Sequence, residues 1–321
     1  MLDRINRNYL TADARAAALA ERERMVPMGF MGDAWDTAWA AVYLASDEAK
    51  YVTATEFTID GGITAGQPLD WRDSDAVEAP IDVPDAEARS VPHAGERLKG
   101  KVAIVVGAGS LGPGLGNGKA SAILFARARG CLPSTAISTP CVKRRQSSKA
   151  RAAIAWRSMP MPCRLPRWSA DVSLNVKPAF LACKTIIPIM ERQGGGVFVN
   201  TASTAGISVP EHPMISYQTG KAGLIQFSHG VALEYARKNI RSNCLIPGKI
   251  KTPMTEVRQT ERSSADDLQS IYDRRARSVP LGRMGEARDV GYAALYLASD
   301  EARYVTATEI LVDGGLTANC C

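Results

Sequence analysis

Residues 98–118 read L-K-G-K-V-A-I-V-V-G-A-G-S-L-G-P-G-L-G-N-G. Val102 to Val106 is a continuous apolar run rich in β-branched residues, the composition of a parallel strand buried on both faces. Glycines follow at once, and a helical pattern runs from Lys119 to Arg129. Strand, glycine-rich turn and helix N-terminus in that order build an anion site, because backbone N–H groups and the helix dipole face one point. The glycines alone would also suit a flexible loop; their place between strand and helix favours the anion site.

Downstream, residues 200–221 read N-T-A-S-T-A-G-I-S-V-P-E-H-P-M-I-S-Y-Q-T-G-K. Tyr217 and Lys221 are four apart and open a long apolar-periodic segment, so a helix over Tyr217 to Lys238 puts both on one face. An ammonium near a phenol favours the phenolate, which makes the tyrosine a usable general acid or base near neutral pH. Ser203 follows the apolar run Val197-Phe198-Val199, expected to be a strand whose end aims the hydroxyl towards the tyrosine. Tyr and Lys also fall four apart by chance, and the phosphate-loop chemistry upstream is what argues otherwise.

The chain contains an internal repeat. Residues 27–66 and 280–319 match without a gap at about two thirds of their positions. Each copy predicts a helix (Asp36 to Leu44; Asp289 to Leu297), a short strand (Glu56 to Ile59; Glu309 to Val312) and then D-G-G. One helix and one strand bury no core alone, so the first copy must pack on something. The expected organisation is a helix–strand fragment over 1–66, a linker rich in Asp, Pro, Glu and Ala over 67–97, and a domain over 98–321.

Within that domain, residues 131–169 are aberrant: crowded with Arg, Pro, Ser and Cys, and almost without acids. No strand–helix–strand pattern is present where a doubly wound fold needs one. Out-of-frame translation of a GC-rich gene is the reading of this segment. Order returns at Asp171, with a helix expected over Asn175 to Met190, a strand over Arg241 to Ile246, and a polar helical lid over Thr255 to Arg277.

At 321 residues, 45% hydrophobic and net charge +6, the composition is that of an ordinary globular protein. The charge is not a nucleic-acid signature, since no binding motif accompanies it. No apolar h-region or 18-residue apolar run is present, so neither signal peptide nor transmembrane helix is expected, and a cytoplasmic location is the default. Seven cysteines without a CxxC pair suggest reduced thiols and no metal.

These residues together resemble a short-chain dehydrogenase/reductase over residues 98–129 and 171–318, and residues 1–66 resemble the C-terminal end of a second member. The resemblance implies a Rossmann-type, doubly wound parallel α/β sheet, incomplete in its central part because the helix and N-N-A-G strand before Asn175 are missing. It implies NAD or NADP as cofactor and a small alcohol or carbonyl substrate. Tyr217 would be the general acid/base, Lys221 its partner and a ribose ligand, Ser203 (or Thr204) the donor to the substrate oxygen, and Asn175 the holder of a relay water. Gly107, Gly116 and Gly118 would approach the pyrophosphate, Asp171 and Val172 the adenine, and Pro247, Gly248 and Thr252 the nicotinamide end. The alternative is an inactive relic or association module without a competent cofactor pocket. The family's last helix and strand commonly form a subunit interface, so either a homo-oligomer or an intramolecular imitation of that interface by residues 1–66 is expected.

Overall fold

The computed structural model describes residues 11–66, 96–108, 114–128, 168–210, 214–255 and 265–318. In chain order its helices and strands are α1 (Ala12–Met25), α2 (Ala34–Ala45), α3 (Asn117–Ala128), α4 (Trp168–Asn175), α5 (Lys177–Arg192), β1 (Gly196–Thr201), α6 (Ile215–Glu234), β2 (Ile240–Pro247), β3 (Ile250–Lys251), α7 (Ala265–Arg277), β4 (Gly285–Glu286), α8 (Ala287–Ala298) and β5 (Glu309–Val312). Among the described residues no helix is long and apolar enough to cross a membrane.

The main sheet is parallel, in the order β1-β2-β5, with Gly196 opposite Ile240 and Cys244 opposite Glu309. Side chains alternate across a strand, so both faces of β2 and β5 must be covered. Leu245, Ile310 and Val312 pack on Val290, Ala293 and Leu297 of α8. Cys244, Ile246 and Leu311 turn the other way, towards Ile225 of α6. Each such buried aliphatic side chain contributes about 1.5–3 kcal/mol. On the α6 side, Cys183 and Ile187 of α5 join Val231 and Ile240. On the α8 side, Leu295 meets Leu124 and Ala128 of α3.

Buried polar groups pin these layers. Arg241, 4% exposed, donates to the carbonyls of Leu297, Ser299 and Val305, tying β2 to the end of α8. Burial pushes its pKa down to about 10, which leaves it charged at neutral pH. Ser228 of α6 and Ser242 of β2 share a hydrogen bond of 2.7 Å, and Asn200 of β1 donates to Ser228.

Residues 102–106 do not form the buried strand their composition predicts. Among the described residues no strand lies beyond β1, so their backbone has no ladder to join. Val102, Ile104 and Val106 are 60%, 45% and 44% exposed. Residues 56–59 likewise form no strand, while their counterpart β5 does, because β5 has β2 to pair with. A strand is specified by its neighbour as much as by its own residues. The helix expected from Asn175 starts instead at Lys177. Asn175 closes α4, Val176 separates the two helices, and Pro178 falls in the first turn of α5, where its missing N–H costs nothing.

Most of the linker, the aberrant segment up to residue 167 and residues 256–264 ahead of α7 lie outside the described residues. The linker's end is firmly placed: Arg97 is buried and donates to Glu48 at 2.8 Å and to Glu301 at 2.6 Å.

Residues 11–66 pack on the end of the chain. Tyr43 of α2 stacks on Tyr296 of α8, with ring centroids 4.7 Å apart. Gly61 N–H donates to the Tyr304 carbonyl at 3.1 Å, and Gly314 N–H to the Tyr51 carbonyl at 3.0 Å. Both helices begin with a capping box, Asp33 with Asp36 and Glu286 with Asp289.

Candidate active site

The site is built at the C-terminal end of β1. Tyr217 and Lys221 lie one turn apart near the start of α6, both half-buried. The Lys221 ammonium is 5.8 Å from the centre of the Tyr217 ring. Its Nζ donates to the Thr201 carbonyl at 2.9 Å, which tethers α6 to the last residue of β1.

Ser203 stands two residues beyond that strand. Its backbone is extended, and its Oγ accepts from Ala205 N–H at 3.2 Å, capping the short turn Thr204–Gly206. That turn docks on α6 at Lys221: a Cβ on Gly206 would come within 2.9 Å of the Lys221 carbonyl carbon. Only a glycine permits the approach. The structure therefore brings Ser203, Thr204, Tyr217 and Lys221 to one strand end. Asn175 joins them from α4, its side chain packed against Gly220. An open cavity of about 300 Å3 beside them is lined by Gly206, Ile207, Val209, Gln218 and Ala222.

The second half of the site follows β2. Pro247 ends the strand opposite Val312, and Gly248 N–H donates to the Val312 carbonyl at 3.1 Å. A Cβ on Gly248 would lie 2.6 Å from that of Asp313, so this crossing also requires glycine. Thr252 N–H donates to Thr255 Oγ1 at 3.0 Å, which holds the following turn.

The glycine loop meets this turn. Gly114, at φ +118°, faces Pro253, whose Cγ would lie 3.1 Å from a Cβ added there. Gly116 carbonyl accepts from Ala120 N–H at 2.9 Å in the first turn of α3. Gly107 has φ +77° and open space around it, while Gly118 is pressed onto the Gly107 carbonyl where a side chain would overlap. Residues 109–113 lie outside the described residues. Asp171 and Val172 belong to α4, which packs on α6.

Sequence reasoning passed over Thr201, Gly206, Gly114, Pro253 and Asp313. Thr201 acts through its carbonyl, which no side-chain pattern marks. Gly206 carried a usable signal, a glycine three residues after the candidate serine.

The family model described as enoyl-(acyl carrier protein) reductase matches residues 8–64 and 150–317, which leaves out the glycine loop. The oxidoreductase UcpA of Salmonella typhimurium is 34% identical over 146 residues, 46% of this chain and 55% of that protein. The 3-oxoacyl-[acyl-carrier-protein] reductase FabG of Chlamydia pneumoniae is 37% identical over 150 residues, 47% of this chain and 56% of that one. The chain thus spans about half the length of the curated relatives it matches. A solved structure described as a short-chain dehydrogenase/reductase from Burkholderia xenovorans superposes with a TM-score of 0.58 at 36% identity, covering 70% of this chain and 100% of that one. With α/β layers around a partial parallel sheet, and with the family model matched over more than half its length, the chain belongs to the short-chain dehydrogenase/reductase family.

Proposed function

We propose that this chain is an NAD(P)-dependent oxidoreductase that moves a hydride between a nicotinamide and a secondary alcohol or ketone. The observation that carries this reading is the meeting of Ser203, Tyr217 and Lys221 at the end of β1, with Lys221 tethered to Thr201.

The glycine loop suits a dinucleotide. Gly107 lies open, and Gly118 presents backbone rather than side chain at the start of α3, where a pyrophosphate gains from N–H donors and the helix dipole. Gly116 would share that contact. Pro247, Gly248 and Thr252 would face the nicotinamide end, with Asp171 and Val172 towards the adenine. The cofactor is NAD or NADP.

When bound, the nicotinamide supplies or accepts the hydride. In reduction, Tyr217 donates its phenolic proton to the carbonyl oxygen, so that hydride and proton together convert C=O to CH–OH. Lys221, held by the Thr201 carbonyl, would bind the nicotinamide ribose. Ser203, with Thr204 beside it, donates a hydrogen bond to the substrate oxygen, where charge develops. Asn175 holds a water through which the proton is replaced. The buried free thiols of Cys183 and Cys244 suit a reducing, cytoplasmic setting.

One observation favours the rival reading, an inactive relic or association module. Residues 102–106 should support the glycine loop from beneath, yet Val102, Ile104 and Val106 are exposed and the stretch pairs in no sheet. Titration with NADH and with NADPH, followed by nicotinamide fluorescence, separates the two. Saturable binding that survives Tyr217→Phe while turnover is lost supports the oxidoreductase. No binding of either cofactor by a folded sample overturns it in favour of the relic.

We also infer that residues 11–66 are a second copy of the family's C-terminal unit. The two stretches share a backbone as well as a sequence. Ala54 and Ala307 both adopt positive φ, at 51° and 54°. Asp60 and Asp313 each accept from the residue two ahead and from both N–H and hydroxyl of the threonine four ahead.

A further inference from the structure

Residues 27–66 map onto residues 280–319 by a shift of 253, which makes α2 the counterpart of α8. The two helices meet at a seam and differ on the faces turned away from it. On α8 that face is Gly291, Tyr292, Leu295 and Ala298, and α3 covers it. Leu295 is 4% exposed, packed on Leu124 and Ala128. At Gly291 the two helices approach closely: a Cβ there would lie 2.9 Å from Leu124 Cδ1 and 3.2 Å from the Ala120 carbonyl carbon. Lys101, ahead of the glycine loop, binds Asp300 at 2.6 Å.

The counterpart face of α2 is Ala38, Trp39, Val42 and Ala45, with Asp47 in the place of Asp300. Among the described residues this face is largely bare. Ala38 and Ala45 are exposed, and Val42 is 58% exposed where Leu295 is buried. Trp35, in the place of Arg288, is 47% exposed. Asp47 is exposed and has no ion-pair partner among the described residues. The one charged side chain of α2, Asp36, binds Arg303 in the seam. A helix that is apolar all round belongs in a core, and an apolar face left open marks a contact site.

We propose that the bare face of α2 is a docking site for a helix of the α3 kind, carried by a separate polypeptide as part of a glycine-loop unit. The covered copy supplies the chemistry of that partner. It has small residues where Ala120 and Ser121 lie, a leucine at the Leu124 position, an alanine at that of Ala128, and a cation at that of Lys101 to meet Asp47. The inference rests on reading residues 11–66 as a second copy of the C-terminal unit. One difference sets the fit. Ala38 stands where α8 has Gly291, so its methyl holds the incoming helix further out than α3 lies from α8.

The test adds a synthetic peptide of residues 96–129, which contains no tryptophan, to the full chain. Trp35 and Trp39 lie on the face, so docking should shift tryptophan emission to the blue in a saturable way. Val42→Arg in the chain, and Leu124→Arg in the peptide, should each weaken binding at least about 10-fold by burying an unpaired charge. Asp47→Lys at the rim should weaken it by about 1.5–5-fold. Ala38→Gly should tighten it. Fusing the same segment to the N-terminus through a short glycine–serine linker raises its effective concentration to about millimolar and should raise the melting midpoint. Val42→Arg should remove that rise. No emission shift with the peptide together with no rise in the fusion overturns the docking inference, as does a shift that survives Val42→Arg. A parent chain that sediments at twice its mass, and returns to one mass in Val42→Arg, overturns it in favour of α2 meeting α2 of a second copy. Asp36→Arg tests the second-copy reading separately: it breaks the Arg303 pair and should lower the midpoint by about 5–15 °C. An unchanged midpoint there overturns that reading, whatever the peptide does.

Discussion

Tyr43 and Tyr296 stack with their ring planes 17° apart, and neither hydroxyl finds a hydrogen-bond partner among the described residues. The pair therefore holds the seam through area and dispersion while carrying two buried, unsatisfied phenols. Tyr43→Ala should cost about 3–5 kcal/mol of unfolding free energy, the range for truncating a buried aromatic. Tyr43→Phe, by contrast, should be neutral or stabilising by up to about 2 kcal/mol, since it removes an unpaired buried hydroxyl. Denaturant unfolding of both variants checks the contrast.

Those phenols also set a pH dependence. Burial above all, with Glu48 adding to it at Tyr43, holds both phenols protonated far above the ordinary range near ~10. Burial likewise pushes Tyr51 up to about 12. Above pH ~10 the unfolded chain gives up protons that the folded chain keeps. Their stabilising contribution is thus complete below pH ~10 and is lost as pH rises towards 12. Melting midpoints should fall as pH rises from about 10 towards 12, and fall less in the Tyr43→Phe, Tyr296→Phe double variant.

Tyr217→Phe should lower turnover by about 10²–10⁴-fold, the usual share of a general acid/base. The residue is half-buried, and removing its hydroxyl leaves packing alone, so the melting midpoint should stay within about 2 °C of the parent. Steady-state assay with a panel of ketones, beside calorimetry, checks both halves.

Gly248→Ala tests the crossing over Asp313. A methyl there would lie 2.6 Å from the Asp313 Cβ, and Asp313 is fully buried and organises the turn at Gly315 and Thr317. A loss of about 1–3 kcal/mol is expected from overpacking. Because the same turn carries Pro247 and Thr252, any cofactor affinity should fall with it.

Arg241→Met should cost about 1–3 kcal/mol, since it takes the buried donor from the Leu297 carbonyl while Val305 keeps Asn243 and Ser299 keeps the Ala302 N–H. Arg241→Lys should recover only part, because one ammonium cannot reproduce the guanidinium fork. Urea unfolding of the pair decides the point.

The helices were legible because their information is local: α6 and α8 carry apolar residues at helical spacing, and α8 announces its start with Glu286 and Asp289. So was the Tyr217–Lys221 pair, one turn apart on one helix. Residues 102–106 and 56–59 misled because strand identity rests on a neighbour, and neither stretch has one in a ladder. Lys221's tether was invisible because its acceptor is a backbone carbonyl twenty residues away. Arg97 read as linker because its two carboxylates lie 49 and 204 residues distant.

The seam joining Gly61 to Tyr304 and Gly314 to Tyr51 lies within one polypeptide. Its formation is therefore a first-order event, governed by an effective concentration that the chain itself sets. An interface between separate subunits weakens on dilution, and its unfolding midpoint shifts with protein concentration. This one keeps the same occupancy at nanomolar as at millimolar levels, so the packing of α2 on α8 is independent of how much of the protein is made.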